Sequence, residues 1–498
     1  MFARVFSAIL DGLEGEIVEI ETGLLSGITS FSIVGLPDKA IQEAKERITL
    51  ALKSIGAKPP LKFNRKTVVN LAPADIKKEG AYLDLGIAIS FLSASKQINF
   101  SDLSKKILFL GELSLDGNLR KIKGALPIIL SLERYFDEIY LPEENLNEIR
   151  FLKTNKVFLF KNLREVIDHI EGRERKEKFE PKEFYYEKRL EDLSFIKISD
   201  YILRALLIAA SGRHNLLLFG PPGTGKTLIA KNLVNLLPNL SYEESLEVTS
   251  IYSASGEILD DFIYYPPFRN PHHSASPVSI LGGGQNPKPG EVSLAHRGIL
   301  FLDELPEFRR DILEGLREPL ENGEITVARA KKTIKFPAKF LFIGAYNPCP
   351  CGYYGDPEKE CVCSPSDIRR YRKKISGPIL DRIDILINVP RIKGEDLLKE
   401  DLRDYKDIVE KIEEMKEIQL KRQGKYNSEI SPKEIKKYCK LDEKAEDLLK
   451  KSIDRLKISI RSAHKIIKIA KTISDLEKKD IINQEHIGEA LQYRTIEE

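Results

Sequence analysis

Three observations predict an α/β protein of several domains that ends in an all-helical region. The chain has 498 residues, more than one hydrophobic core organises, and this length suggests two to four domains. Short apolar runs of strand length, such as Leu216–Phe219, alternate with longer stretches of helical periodicity up to residue 390. From residue 391 to 498 the pattern is helical throughout. These shifts divide the chain into an α/β domain (1–172), a charged linker (173–192), a second α/β domain (193–390) and a helical lid (391–498).

Composition limits the setting more than the activity. Hydrophobic residues at 42% and charged residues at 31% are ordinary for a globular protein in water. The 79 basic and 76 acidic side chains nearly cancel at +3, so any basic surface for nucleic acid must be local. No stretch approaches eighteen uninterrupted apolar residues, and the first residues lack an apolar core of signal-peptide length. A cytoplasmic protein with no membrane partner is expected.

In the first domain, Gly15–Glu21 and Ser30–Val34 read as strands, and a helical pattern runs from Pro37 through Leu52. Leu83–Ser93 is apolar enough for a buried helix, and Ile107–Leu113 reads as one strand before an Asp116-Gly117 hairpin signal. Ala125–Arg134 and Leu163–Glu171 are expected as helices, Glu138–Leu141 and Val157–Phe160 as strands. The alternating charges of the linker (Arg173-Glu-Arg-Lys-Glu-Lys178) mark an exposed connection. Ser199–Ala210 comes next as a helix stopped by Gly212.

The chemistry concentrates between Asn215 and Thr227. A buried strand, Leu216–Phe219, leads into Gly220-Pro221-Pro222-Gly223-Thr224-Gly225-Lys226-Thr227 and then an amphipathic helix. Strand, loop and helix stand in the order that a phosphate-binding loop requires. Its glycines let backbone amides turn toward phosphate oxygens, and the helix N-terminus adds partial positive charge. Lys226 is placed to reach the β- and γ-phosphates of ATP, and Thr227 to ligate magnesium. A second signature, Gly298-Ile-Leu-Phe-Leu-Asp303-Glu304, is a strand ending in two carboxylates. Asp303 suits the magnesium shell, and Glu304 suits orienting or deprotonating the attacking water. Arg382, in Ser376-Gly-Pro-Ile-Leu-Asp-Arg-Ile-Asp384, could stabilise charge on a transferring phosphoryl group from a neighbouring subunit, or form a surface pair with Asp381.

Four of the five cysteines fall in Cys349-Pro-Cys351 and Cys361-Val-Cys363. Paired thiolates across a short loop can close a structural zinc site, with a reduced thiol cluster or redox pair as the alternative. Ile325–Phe336 reads as two strands around a basic tip, Arg329, Lys331 and Lys332, suited either to DNA phosphates or to a solvated turn. The adjacent His272 and His273 carry only a weak metal signal. In the helical region, Ser431-Pro-Lys-Glu434 reads as a capping box, and Ser459-Ile-Arg461 opens an amphipathic helix with Ile466, Ile467 and Ala470 on its apolar side.

Taken together, these motifs resemble the ComM/YifB family of magnesium-chelatase-like AAA+ ATPases over nearly the whole chain. The most specific segments are Pro37-Asp-Lys-Ala-Ile-Gln-Glu43, Asn70-Leu-Ala-Pro-Ala-Asp75, Phe268-Arg-Asn-Pro-His-His273, Gly282–Glu291 and Leu302–Phe308. The resemblance implies a ring-shaped, hexameric motor in which competence-linked members act as branch-migration helicases on recombining DNA. By the same resemblance, Asn347 senses the γ-phosphate, Arg461 reaches the nucleotide from the helical lid, and Tyr264–Ala295 and Ile325–Phe336 are pore hairpins. Leu110–Gly117 resembles the proteolytic domain of Lon-type proteases. Here Lys78-Glu-Gly80 is followed by Ala81, where those enzymes place a nucleophilic Ser, so a non-proteolytic version is expected. The competing reading is a chelatase motor subunit that drives metal insertion through a protein partner.

Overall fold

A computed structural model describes residues 2–78, 80–100, 102, 104–184, 198–257, 261–284, 287–328, 333–375, 377–391 and 405–494. The chain divides into two compact units, Met1–Tyr185 with Ser245–Ile263, and Tyr186–Glu244 with Tyr264–Glu498.

The strands of the first unit are β1 (Phe2–Asp11), β2 (Glu14–Leu25), β3 (Ser30–Val34), β4 (Lys66–Ala72), β5 (Ile107–Phe109), β6 (Glu112–Leu113), β7 (Leu119–Arg120), β8 (Glu138–Pro142) and β9 (Val157–Phe160). All but β6 and β7 form one mixed sheet, in the order β3-β4-β2-β1-β5-β8-β9. β5 and β8 are buried along their whole length, as expected of parallel strands covered on both faces. The helix Asp84–Ala94 packs against β1 and β2 and is almost wholly buried. The helix Lys39–Ser54 starts where the Asp38 carboxylate accepts the Ile41 N–H at 2.8 Å. It buries Ile41, Ala44, Ile48, Ala51 and Leu52, one helical face, in the same core.

The expected single strand Ile107–Leu113 is corrected to two, because the chain leaves the sheet at Leu110-Gly111 and pairs β6 with β7 instead. The Asp116-Gly117 signal is borne out: Gly117 has φ 89°, and the Asp116 carboxylate accepts the Asn118 N–H at 3.2 Å. The helix Tyr242–Ser255 leads into the unit's last segment. There Ser253 donates to the buried Glu148 carboxylate and accepts the Gly124 N–H at 3.1 Å through its carbonyl. Burial pushes the Glu148 carboxyl up, and the Ser253 hydroxyl, the Asn145 amide and the Leu126 N–H donate to it against that trend.

The second unit carries β10 (Leu216–Phe219), β11 (Phe268–Arg269), β12 (Ile299–Leu302), β13 (Glu324–Ala328), β14 (Thr333–Pro337), β15 (Leu341–Tyr346) and β16 (Ile385–Asn388). Five of them form a parallel sheet in the order β11-β12-β15-β10-β16. The chain leaves β10 for the far edge, returns through β12 and β15, and then crosses to the other side of β10. That reversal opens a crevice at the carboxyl end of β10, the place where open parallel sheets bind ligands. Within the insertion Tyr264–Ala295, expected by resemblance as a pore hairpin, Phe268–Arg269 forms the edge strand of this sheet. β13 and β14 form the expected antiparallel hairpin, while its tip residues Arg329, Lys331 and Lys332 lie outside the described residues.

The helix expected over Ser199–Ala210 runs from Asp200 to Gly212, with Ser199 as its cap. Gly212 is its last helical residue, and Arg213, at φ 56°, makes the left-handed turn that ends it. The helices Tyr405–Gln423, Ile460–Leu476 and Gln484–Gln492 share one apolar core with Asp200–Gly212 and the parallel sheet. Ile466, Ile467 and Ala470 are buried there, on the face the sequence indicates. Ser431 makes half of the expected capping box. The Glu434 carboxylate accepts the Ser431 N–H at 2.9 Å, but the Ser431 hydroxyl donates to that carboxylate at 2.6 Å instead of accepting from the backbone, and the helical turn begins only at Ile435.

Candidate functional site

The carboxyl ends of β10, β12 and β15 supply the site. After Phe219 the chain must pass the strand β16, and a Cβ on Gly220 would collide with the Val389 carbonyl oxygen. Gly223 and Gly225 sit at φ 79° and 85°, left-handed conformations that fold the loop back to the helix Lys226–Leu236. Pro222 to Thr227, with Asp303, Glu304 and Asn347, line a cavity of about 450 Å³. The phosphate loop and the carboxylate strand thus converge on one place.

Lys226 is buried there and donates to the carbonyls of Gly220 and Pro221, both at 2.8 Å, and to Asn347 Oδ1 at 3.1 Å. Burial brings its ammonium down to about 8, against the opposing pull of Asp303. Such a cation is poorly solvated, and phosphate oxygens would relieve it. Thr227 Oγ1 donates to Asp303 Oδ2 at 2.6 Å, so the hydroxyl and carboxylate suited to magnesium are already adjacent.

Glu304 adopts φ 51°, and its N–H donates to Asp303 Oδ1 at 2.9 Å. Its carboxylate projects at the cavity wall with Oε2 3.3 Å from His273 Nδ1. The sequence alone gives His273 no role at the nucleotide. Its position just beyond a strand, beside the segment ending in Asp303-Glu304, is the signal that could have found it.

Arg382 and Arg461 do not join this cavity. Both line a second one of about 610 Å³, together with Lys465 and Lys468. Arg382 Nη1 donates to the Pro378 carbonyl at 2.8 Å, its Nη2 pairs with Glu321, and its buried Nε has no hydrogen-bond partner.

The four cysteines after Asn347 come together as their spacing suggests. Their sulfurs all lie within 4.8 Å of one another, with Cys349 to Cys351 at 3.3 Å and Cys361 to each of these at 3.6 Å. Tetrahedral zinc with bonds of about 2.3 Å spaces its sulfurs about 3.8 Å apart, so the donor set fits. Backbone N–H groups already point at it: Tyr354 to Cys349 Sγ at 3.3 Å, and Cys351 to Cys363 Sγ at 3.4 Å. The Tyr353 backbone N–H helps to bring the Cys351 thiol down to about 6.

A lysine desolvated against its own loop, next to a ready hydroxyl–carboxylate pair, is what a nucleoside triphosphate and its magnesium require. The second unit accordingly has the build of a P-loop ATPase of the AAA+ class. Comparison with known proteins gives the relationship. The magnesium chelatase subunit ChlI family matches residues 192–397, its ChlI subunit family 20–145, and its ChlI C-terminal family 404–494. Competence protein ComM of Haemophilus influenzae is 41% identical over 99% of this chain and 97% of its own. YifB of Escherichia coli is 37% identical over 98% and 96%, respectively. The magnesium-chelatase 38 kDa subunit of Rhodobacter capsulatus is 28% identical over only 29% of this chain and 46% of its own. The chain belongs to the ComM/YifB family of magnesium-chelatase-like AAA+ proteins. Among the described residues, no helix is long and apolar enough to cross a membrane.

Proposed function

We propose that the protein is an ATP-driven, hexameric ring motor acting on DNA in the cytoplasm. In particular, we propose a branch-migration helicase for homologous recombination of incoming DNA during natural transformation. The observation that carries this reading is the end-to-end similarity to a competence protein, which takes in both compact units. Lys226 and the loop Gly220–Thr227 bind the triphosphate, and Thr227 and Asp303 hold magnesium, which offsets phosphate charge when bound. Glu304 orients or deprotonates the attacking water, and Asn347, bonded to Lys226, senses the γ-phosphate. Cys349, Cys351, Cys361 and Cys363 hold one structural zinc. The N-terminal unit is a Lon-protease-like fold without proteolysis, in which buried Lys78 donates to the Pro73 and Ile76 carbonyls and so is engaged structurally. The helical region serves the ATPase as its lid.

Arg382 and Arg461 share a cavity that the chain's own phosphate loop does not enter, which supports both acting on a neighbouring subunit's nucleotide. Mixing Arg382→Ala with Lys226→Ala chains should therefore restore part of the ATPase activity that each lacks alone, because some interfaces receive both intact halves. Absence of rescue, with subunit mixing shown by a tagged-chain pull-down, would remove Arg382 from the shared site.

The experiment that tests the motor is ATPase rate with four-way junction DNA, with duplex DNA and without DNA. Junctions should stimulate most. Arg329→Ala, Lys331→Ala and Lys332→Ala combined should leave the basal rate intact. They should also abolish branch migration and lower the salt dependence of binding by up to about three phosphate contacts per engaged subunit. Matches to three ChlI families favour one second reading, a chelatase-type motor driving metal insertion through a protein partner. Indifference to every DNA would move the assignment there.

A further inference from the structure

We propose that the first unit carries a DNA-binding surface of its own, an inference resting on the reading of this protein as a DNA motor. The surface is a basic patch at one end of the sheet, formed by Lys58, Lys62, Arg65, Lys66 and Lys96. Two stretches free of acidic residues meet there. No Asp or Glu occurs from Thr22 to Pro37 or from Arg47 to Ala74. The sheet register joins them, because Leu25 of β2 and Ser30 of β3 both stand opposite Lys66, the first residue of β4. Lys96 is brought alongside by its neighbour Gln97. The Lys58 N–H donates to Gln97 Oε1 at 2.8 Å, and Gln97 Nε2 donates to the Lys58 carbonyl at 3.0 Å.

Ordered backbone presents these cations. Thr67, Val69 and Leu71 are buried, so the alternation of β4 turns Lys66 to solvent. Pro59 and Pro60 are buried, and Phe63 meets Phe91 edge-on at 5.7 Å, which pins the turn carrying Lys58, Lys62 and Arg65. All five charged residues are exposed, and none has an ion-pair partner among the described residues. Elsewhere in the unit Lys105, Arg120 and Lys161 each sit beside a carboxylate, in keeping with a net charge of only +3. An uncompensated patch of one sign, held in place, fits a polyanion. The phosphates of a DNA backbone meet several such cations at once and release their counterions in doing so. Leu25, Ile28 and Leu61 stand exposed beside the charges, suited to the sugars between phosphates. Contacts of this kind read no bases, as a motor that grips DNA of any sequence requires.

The test uses the full-length protein and a duplex of arbitrary sequence. Lys58→Ala, Lys62→Ala, Arg65→Ala and Lys66→Ala combined should lower duplex affinity at least about tenfold near physiological salt. The same variant should shallow the salt slope by up to about four contacts per engaged subunit. Lys58→Arg, Lys62→Arg and Lys66→Arg combined should keep both values, because the charge remains. Neither set lines the nucleotide cavity, so the ATPase rate without DNA and the melting temperature should stay parental. Lys62→Glu alone, on an exposed turn, should weaken binding in the same direction and replaces the fourfold variant if that one does not fold. Parental affinity and salt slope in the variant, with the parent itself binding duplex, would overturn the proposal and leave the motor reading standing. So would a loss confined to vesicles of phosphatidylserine and phosphatidylcholine, which would make the patch a membrane surface. A parent protein that binds no DNA at any salt would instead overturn both.

Discussion

Replacing Lys226 by Ala should lower ATP affinity by about 10²-fold or more, about 2.7 kcal/mol, and hydrolysis should fail because substrate is not held. The side chain is the only described lysine lining the cavity of the phosphate loop, and it bridges that loop to Asn347. Its removal therefore takes away both the charge facing the phosphates and a donor to Asn347. Glu304→Gln should behave differently. The phosphate loop, Thr227 and Asp303 remain, so the variant binds ATP at close to parental affinity. Turnover should fall on the order of 10²–10³-fold, the range for losing a positioned acid–base group. Titration with a fluorescent ATP analogue, paired with steady-state turnover, separates the two effects. A Glu304→Gln enzyme that hydrolyses ATP at the parental rate would remove the Asp303-Glu304 segment from the reaction.

The proposed zinc site of the four cysteines should have an effect of comparable size on stability. Protein prepared without chelator should carry one zinc per chain, and Cys349→Ser with Cys361→Ser should lose it. Cys349 is fully buried, and the loop it closes lies against the nucleotide site: a Cβ on Gly352 would stand 2.8 Å from Pro222. Arg372 ties the same region down through the Pro348 carbonyl at 3.2 Å. Loss of a structural metal costs on the order of 4 kcal/mol or more, which moves the melting point of a unit this large by roughly 10 °C. ATP affinity should weaken as well, since Pro222 and Asn347 lose their support. Elemental analysis that finds no zinc would end this assignment, and so would a double variant that melts with the parent.

What the chain states in its sequence is local. The phosphate loop, the strand before Asp303 and the strand before Asn347 are runs whose period and neighbours already define them. β3, β9 and β10 fall at the expected residues for the same reason. The paired cysteines were legible because their partners lie within a short loop. Family resemblance, not spacing, supplied the roles expected of Asn347 and Arg461.

Only the tertiary structure decided which distant segments meet. The two-residue β11 is too short to carry a periodicity, and it is a strand because β12 and the Ile299 N–H to Pro267 carbonyl bond make it one. That pairing brings His273 to Glu304, two residues with nothing in their local sequence to join them. Likewise Ser245–Ile263 belongs to the N-terminal unit, where Ser253 donates to the buried Glu148, and Arg382 shares a cavity with Arg461 where β16 and a C-terminal helix pack into one core. Periodicity reports the conformation of a segment. Register, burial and the satisfaction of buried polar groups choose its partners, and those depend on the whole chain at once.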